Sequence, residues 1–257
     1  MERRFILKEN GLRIPCVLDE PEYCTVRRCV IGIHGICGNK DSKILEDIAD
    51  EMGLFGAATL RFDFPAHGDS PVTELTLEQC QQTLETVVRW AKRAYPYVDM
   101  CLFATGFGAF VTLITLDELR YIQDNLKLVF QTPDLSMAPT LLQMTRMTEE
   151  ELQQAGEAVV GATMARPLRV SYSFYEELRQ HMVYYNYHMP MLLLHGELDE
   201  YIPLSYLEPF RRFNDQSRMV VIPGADHQFQ GYGNWDMVVD LTRDWFECEQ
   251  VLLCDYV

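Results

Sequence analysis

Five short motifs in this sequence combine glycine with residue types that proton transfer and anion binding could use. In chain order they are HGICG (34–38), DFPAHGDS (63–70), ATGFG (104–108), HGELDEYIP (195–203) and GADH (224–227). Each follows, or ends, a short apolar run of the kind that forms a buried strand. The glycine-bracketed turn HGICG can present backbone N–H groups to an anion, which is what an oxyanion hole requires.

The elements that would position these motifs alternate between strand and helix patterns. Apolar or alternating runs predict strands at 4–8, 12–18, 29–35, 57–62, 100–105, 126–130, 191–195 and 219–222. Three–four apolar spacing, with a TLEQ capping box at 76–79, predicts helices at 42–54, 76–91, 107–119 and 235–252. This alternation predicts an α/β fold: a mostly parallel sheet flanked by helices on both faces.

The alternation breaks between residues 131 and 190, a segment too long for a simple connection. Half of the chain's 12 methionines lie there, together with six aromatic residues: Tyr172, Phe174, Tyr175, Tyr184, Tyr185 and Tyr187. We therefore predict a core formed by 1–130 and 191–257, with 131–190 inserted as a cap. Methionine and aromatic side chains suit an adaptable apolar pocket wall, but they could equally form the cap's own core.

The five motifs, in this order and after these strands, resemble the α/β-hydrolase superfamily over nearly the whole chain. The resemblance is closest to small capped serine esterases, including feruloyl and cinnamoyl esterases and monoglyceride-lipase-like enzymes. It implies an α/β-hydrolase fold and acyl transfer to water through a serine ester. It also implies that the backbone N–H groups of Ile36 and Phe107 form the oxyanion hole.

The same resemblance assigns the proton-transfer residues. His227 would be the general base, and Asp199 would hold its imidazole in the correct tautomer. Glu197 and Glu200 lie in the same loop as Asp199, whose spacing from the preceding HG pair favours it. Cys37 on the oxyanion loop, with Tyr172 and Tyr175 of the cap, would contact the substrate.

The nucleophile position departs from the family pattern. The third residue of the turn, where these enzymes have serine, is Gly106, and the first is Ala104 instead of glycine. The turn holds its central residue at a positive φ, which glycine adopts easily. Gly106 should therefore preserve the fold while removing the attacking oxygen, a loss worth on the order of a million-fold in turnover.

No neighbouring side chain is a good substitute for the missing serine. Thr105 should point away from the site, Cys101 lies within the strand, and Cys37 is badly placed for His227. Three explanations remain. The first, which the retained Asp and His favour, is a deliberate Ser→Gly change. The second is a natural non-catalytic relative that binds an apolar ligand, and the third is a reaction in which His227 activates water.

Composition limits the partners. The net charge of −16, from 38 acidic and 22 basic side chains, argues against binding to nucleic acid or to a membrane surface. The eight cysteines are scattered without a CxxC pair, as is typical of free thiols in a reducing compartment. With no signal peptide evident at the start, this predicts a cytoplasmic protein. No metal-spaced cluster or phosphate loop indicates a cofactor.

These observations predict a carboxylic-ester hydrolase acting on small apolar or aromatic acyl esters, inactive as given because of Gly106. Two alternatives remain open: a non-catalytic ligand-binding protein, and an amidase, thioesterase or acyltransferase with the same residues. The expected partner is a small-molecule ester, and the apolar cap could also pair two subunits in a homodimer.

Overall fold

The computed structural model describes residues 1–119, 121–122, 126–162, 166–181, 183, 186–187 and 189–248. The predicted cap tyrosines Tyr184 and Tyr185, and the end of the last predicted helix, lie outside these residues. Among the helices of the described residues, none combines the length and the apolar character needed to cross a membrane.

An eight-stranded sheet forms the centre of the fold. Its strands, in chain order, are β1 (Glu2–Glu9), β2 (Leu12–Asp19), β3 (Arg28–Ile33), β4 (Ala57–Phe62), β5 (Asp99–Thr105), β6 (Leu126–Gln131), β9 (Met191–Gly196) and β10 (Ser217–Ile222). The order across the sheet is β1-β2-β4-β3-β5-β6-β9-β10. The first two strands form an antiparallel hairpin joined antiparallel to β4, and the remaining pairs are parallel. The predicted mostly parallel sheet is confirmed.

Helices cover both faces of this sheet, as the alternation predicts. On one face, α1 (Lys43–Leu54) and α8 (Asn234–Glu247) bury side chains in one apolar cluster. On the other face, α2 (Leu77–Ala94) and α3 (Phe107–Thr115) bury theirs in a second, larger cluster. All eight strands of this sheet thus supply side chains to the core, and helices cover the core on both faces of the sheet.

Two helix ends differ from the pattern-based expectation. The predicted helix 107–119 stops at Thr115, because the following N–H groups bond to carbonyls three residues back and form tighter turns. At the start of α2 the Thr76 hydroxyl accepts from the Gln79 N–H at 3.2 Å, but Gln79 Oε1 has no hydrogen-bond partner among the described residues. Only one half of the predicted capping box therefore forms. The short helix α7 (Leu204–Phe213) is not predicted by the pattern.

The segment between β6 and β9 has structure of its own. It contains α4 (Met137–Thr145), α5 (Glu149–Ala155), the antiparallel hairpin of β7 (Glu157–Val160) and β8 (Leu168–Ser171), and α6 (Tyr172–Gln180). Several polar contacts attach it to the rest of the chain, and two of its charged side chains make contacts of this kind. The Arg166 guanidinium donates to four backbone carbonyls within residues 67–72, and Glu177 Oε2 accepts from the Leu77 N–H at 2.7 Å.

The cysteines largely follow the expectation of free thiols. Six of the cysteines within the described residues are free: Cys16, Cys24, Cys29, Cys37, Cys80 and Cys101. Cys248, at the end of α8, is disulfide-bonded, so the expectation is wrong there. Pairing depends on the separation of the two backbones in space, which spacing along the chain does not reveal.

Candidate active site

Gly106 occupies a sharp turn between β5 and α3. Its φ of 46° and ψ of −111° lie outside the regions that other residues adopt readily. The Gly106 N–H donates to the Gln131 carbonyl at 3.0 Å, which ties this turn to the end of β6. A Cβ built on Gly106 would meet no atom within 4 Å. The turn therefore has room for a side chain at the position where the sequence lacks one.

The glycine two residues later is required for a different reason. A Cβ on Gly108 would lie 2.5 Å from the His34 carbonyl oxygen. The first turn of α3 can therefore approach the end of β3 this closely only because residue 108 has no side chain. This contact brings the HGICG loop beside the turn that contains Gly106.

His227 and Asp199 form the predicted pair. The Nδ1 of His227 lies 2.9 Å from Asp199 Oδ2, and the Asp199 side chain is fully buried. Asp199 Oδ1 accepts from the N–H groups of Tyr201 and Ile202, each at 2.9 Å. These bonds fix the orientation of the carboxylate, so the Nδ1–H of neutral His227 donates to it. Nε2 of the same ring then carries a lone pair, which is the form required of a base.

The pKa of Asp199 reflects this arrangement. Burial acts to raise the pKa, but the hydrogen bond and charge of His227, together with the N–H groups of Ile202 and Tyr201, outweigh it. The pKa of Asp199 is therefore held below its ordinary value, and the carboxylate stays ionised near neutral pH. The ring of Tyr201 packs against His227 with 5.0 Å between centroids, which further restricts the imidazole.

The predicted oxyanion-hole donors lie on the two elements that meet near Gly106. Phe107 is the first residue of α3, so its N–H has no acceptor within the helix. Ile36 lies in the turn closed by the Gly38 N–H bonding to the Gly35 carbonyl at 3.0 Å. Both residues line the same cavity as Gly106 and His227.

His34 holds the HGICG loop in place, and its buried imidazole is not suited to act as a base. It is completely buried, its Nδ1 lies 2.7 Å from the Gly35 carbonyl oxygen, and its Nε2 accepts from the Phe64 N–H at 3.1 Å. Burial lowers the pKa of His34 to about 4. A neutral imidazole therefore braces the loop against the strand-end loop that follows β4.

The cavity that these residues line has a volume of about 890 Å³. One wall comes from the HGICG loop, and another from the loop that contains His227. A third wall comes from the segment after β6, including Met137, Met144 and Val160. A cavity of this size with mostly apolar walls and few polar groups is typical of small-molecule sites.

Of the three residues expected to contact substrate, one lines the cavity and two do not. Cys37 lines the cavity, whereas Tyr172 and Tyr175 are not among its lining residues. The two tyrosine rings instead stack on each other with 5.8 Å between centroids, and both hydroxyls bond to Glu149, at 3.3 and 3.0 Å. Both tyrosines lie on α6 and bond to Glu149 at the start of α5, so these contacts hold the segment's own helices together.

Neither candidate thiol is suited to replace a serine. Burial raises the pKa of Cys37 to about 11, and that of fully buried Cys101 to about 12. Both are therefore protonated near neutral pH, and a thiol reacts as its thiolate. Thr105 lines the cavity, and its hydroxyl lies against Gly35.

Polar residues at the end of β6 and just after it are an unexpected part of the site. Gln131, Thr132 and Asp134 line the cavity and are each at most 5% exposed. The sequence contains a signal for them, because they follow a parallel strand at the same sheet edge as Gly106 and Asp199. The sequence interpretation assigns them to the start of the cap and therefore misses them. Among the described residues, no cluster of three or more His, Cys, Asp or Glu is arranged to hold a metal ion.

Comparison with solved structures identifies the fold. Est1E from Butyrivibrio proteoclasticus with ferulic acid bound has a TM-score of 0.77 and 22% identity, over 94% of this chain and 97% of that one. The esterase domain of a Rhodothermus marinus protein has a TM-score of 0.70 and 19% identity, over 95% of this chain and 97% of that one. Alpha/beta hydrolase domain-containing protein 10 from mouse has a TM-score of 0.69 and 16% identity, over 94% of this chain and 97% of that one. No protein-family model matches the chain, and neither does any curated protein. The chain has the α/β-hydrolase fold.

Proposed function

We propose that the cavity beside Gly106 is the active site of a carboxylic-ester hydrolase of the serine type, with glycine at the nucleophile position. The observation that carries this proposal is the 2.9 Å contact of His227 Nδ1 with the buried Asp199 carboxylate, on the cavity that Gly106 lines. A retained, hydrogen-bonded base and carboxylate have a clear purpose next to a nucleophile.

The chemistry follows from the direction of each group. With serine at position 106, its Oγ would attack the ester carbonyl carbon while His227 Nε2 takes the hydroxyl proton. The negative charge on the carbonyl oxygen would be stabilised by the N–H groups of Ile36 and Phe107. His227 would then give its proton to the leaving alcohol, and the same steps with water would release the acid. Asp199 stabilises the charged imidazole throughout.

With Gly106 the chain has no oxygen to begin this sequence. Cys37 is protonated near neutral pH because burial raises its pKa to about 11. The chain as given is therefore expected to bind an ester without forming an acyl-enzyme. This accounts for an intact cavity and an intact Asp–His pair in a protein without a nucleophile.

The proposed substrate is an ester with a small apolar or aromatic acyl group. The side chains of Met137, Met144 and Val160 on the cavity wall support this class, since they offer apolar contact area to an acyl chain. One similar structure contains bound ferulic acid, an aromatic acid, which supports testing hydroxycinnamoyl esters first.

The test is turnover of p-nitrophenyl and hydroxycinnamoyl esters by the parent chain and by Gly106→Ser. We expect serine to raise kcat/KM by several orders of magnitude, up to about a million-fold. Gly106→Ala is the matched control, because it adds the same Cβ and the same backbone strain but no hydroxyl. Adding His227→Ala to Gly106→Ser should remove the gain.

A folded Gly106→Ser variant that stays inert on esters, amides and thioesters would exclude the hydrolase. The second candidate is then a ligand-binding protein, which is favoured by the open space around Gly106 in an otherwise complete cavity. Its signature would be submillimolar binding of an ester or acid by the parent chain and no turnover by any variant.

A further inference from the structure

We propose that the turn after β6 forms a polar subsite of this cavity, in which Asp134 and Gln131 accept hydrogen bonds from a hydroxyl or ammonium group on the ligand. The subsite rests on the proposed function for its place in the reaction, but the binding it predicts does not require catalysis. It narrows the ligand class from a purely apolar acyl group to one that carries a hydrogen-bond donor.

The first observation is a pair of buried acceptors without partners. Asp134 is 3% exposed and Gln131 is 5% exposed, and both line the cavity. Asp134 Oδ1 accepts from the Ser136 N–H at 2.9 Å, whereas within the part of the chain that the structure describes Asp134 Oδ2 and Gln131 Oε1 have no hydrogen-bond partner. Buried polar atoms in folded proteins are nearly always bonded, so two such oxygens in one turn call for a donor from outside the chain.

The second observation is backbone strain in the same turn. Thr132, between the two acceptors, has a φ of 44° and is 3% exposed. A β-branched residue at positive φ is unfavourable and persists where the surrounding structure enforces it, most often at functional sites. The Thr132 N–H donates to the Leu194 carbonyl at 2.8 Å, so β9 holds the strained residue in place.

The third observation links the turn to the reacting position. The carbonyl of Gln131 accepts from the Gly106 N–H at 3.0 Å, so the subsite is anchored beside the proposed nucleophile position. Burial raises the pKa of Asp134, although the Ser136 N–H and the neighbouring Thr140 side chain act to lower it. Asp134 and His227 line the same cavity, so one ligand can contact both.

The chemistry of these atoms defines the ligand group. Both unpartnered atoms are acceptors, so the complementary group must donate, as a hydroxyl or an ammonium does. The adjacent wall carries Met137 and Met144, which suits an apolar stem leading to that group. The expected ligand is thus an acyl chain or ring with a donor at its far end.

The test measures binding by calorimetry with the parent chain, which retains Gly106. The probes are methyl esters from butanoate to octanoate, each with a terminal methyl, hydroxyl or ammonium group. We expect one chain length at which a donor-bearing ester binds about ten-fold more tightly than its methyl counterpart, as a hydrogen bond to a charged acceptor provides. Comparison of the hydroxyl and ammonium probes shows which of the two donor groups the subsite prefers.

Two variants assign the effect to Asp134. Asp134→Asn keeps the shape and can keep the Ser136 bond, but it turns the second oxygen into a donor, so the preference should disappear. Met144→Leu, on the same wall, should change all three affinities together and leave the preference intact. Ligand-free Asp134→Asn should also melt at a higher temperature than the parent, because an unpartnered buried charge is removed.

Equal binding of methyl and donor-bearing probes at every length, or no binding of any probe, would overturn the subsite. A preference that survives Asp134→Asn would also overturn it, and so would a lower melting temperature of that variant, which indicates a structural carboxylate. An inert Gly106→Ser variant with an intact donor preference would instead refute only the hydrolase.

Discussion

Gly106→Ala should destabilise the protein through backbone strain alone. A Cβ at this position meets nothing within 4 Å, so no steric clash contributes. The φ of 46° with ψ of −111° is nevertheless a conformation that L-residues avoid, and holding one there costs about 1–3 kcal/mol. We therefore expect the free energy of unfolding to fall by about that amount, with the melting temperature falling by roughly 2–4 °C per kcal/mol.

Equilibrium unfolding in urea, followed by circular dichroism, measures this difference. Two other glycines provide matched comparisons. Gly53 lies within α1 with no atom within 4 Å of a built Cβ, so Gly53→Ala should be neutral or stabilising by up to about 1 kcal/mol. Gly108→Ala should cost more than Gly106→Ala, because its Cβ would lie 2.5 Å from the His34 carbonyl oxygen.

The reasoning is refuted if Gly106→Ala is as stable as the parent while Gly108→Ala is not. That result would mean that the turn relaxes to an unstrained conformation when a side chain is present. The position of a serine Oγ relative to His227 would then no longer follow from this backbone.

Three further predictions concern stability, pH and reactivity. Arg166→Ala removes four hydrogen bonds to the 67–72 loop, so we expect a loss of about 1–3 kcal/mol and faster proteolysis of the segment after β6. Burial lowers the pKa of His67 from 6.5 to about 3, so the unfolded chain takes up this proton before the folded one does, and stability should fall as pH drops below about 6.5. His67→Gln should make that acid loss shallower in urea titrations. Iodoacetamide at neutral pH should modify exposed Cys24 and spare Cys37, whose pKa is raised to about 11, as peptide mass mapping can show.

Each of these has a clear contrary result. Arg166→Ala should lower the free energy of unfolding more than Arg169→Ala does, since Arg169 is exposed and pairs only with Glu157 among the described residues. Equal losses in the two variants would refute the anchoring role of Arg166. A pH profile of unfolding unchanged by His67→Gln would show that this histidine is not kept neutral by burial. Rapid modification of Cys37 would show that its thiol is ionised and available as a nucleophile.

Much of the fold could be predicted from local sequence patterns. The apolar residues of β3 and β5 are buried, with partly exposed positions only at the strand ends, and the three–four spacing of α2 places Cys80, Leu84 and Val87 in the core. These patterns are reliable because side-chain direction repeats with a fixed period in a strand and in a helix. Helix α7 escaped prediction, with Pro209 inside it and only Leu207 and Phe210 buried.

Part of the candidate site could also be predicted from the sequence. Motif order is enough to anticipate the contact of His227 with Asp199, because both follow strands whose ends meet at one edge of a parallel sheet. Strand ends are positioned by the sheet itself, so a residue's place in the chain indicates its place in space. The positive φ of Gly106 was also expected from the sequence, since a sharp turn between a strand and a helix tolerates glycine best.

Only the tertiary structure decided which residues line the cavity and which do not. Tyr172 and Tyr175 stack on each other and bond to Glu149, whereas Asp134 and Gln131 lie at the cavity wall with unpartnered oxygens. No local pattern distinguishes these outcomes, because each depends on how α4, α5 and α6 pack against one another and on the strand ends. The sequence by itself determined most of the elements, through periodicities that act over a few residues, and the order along the chain of the candidate site residues. The shape and polarity of the cavity came from contacts between residues distant in the chain, which is why the polar turn after β6 became visible only in three dimensions.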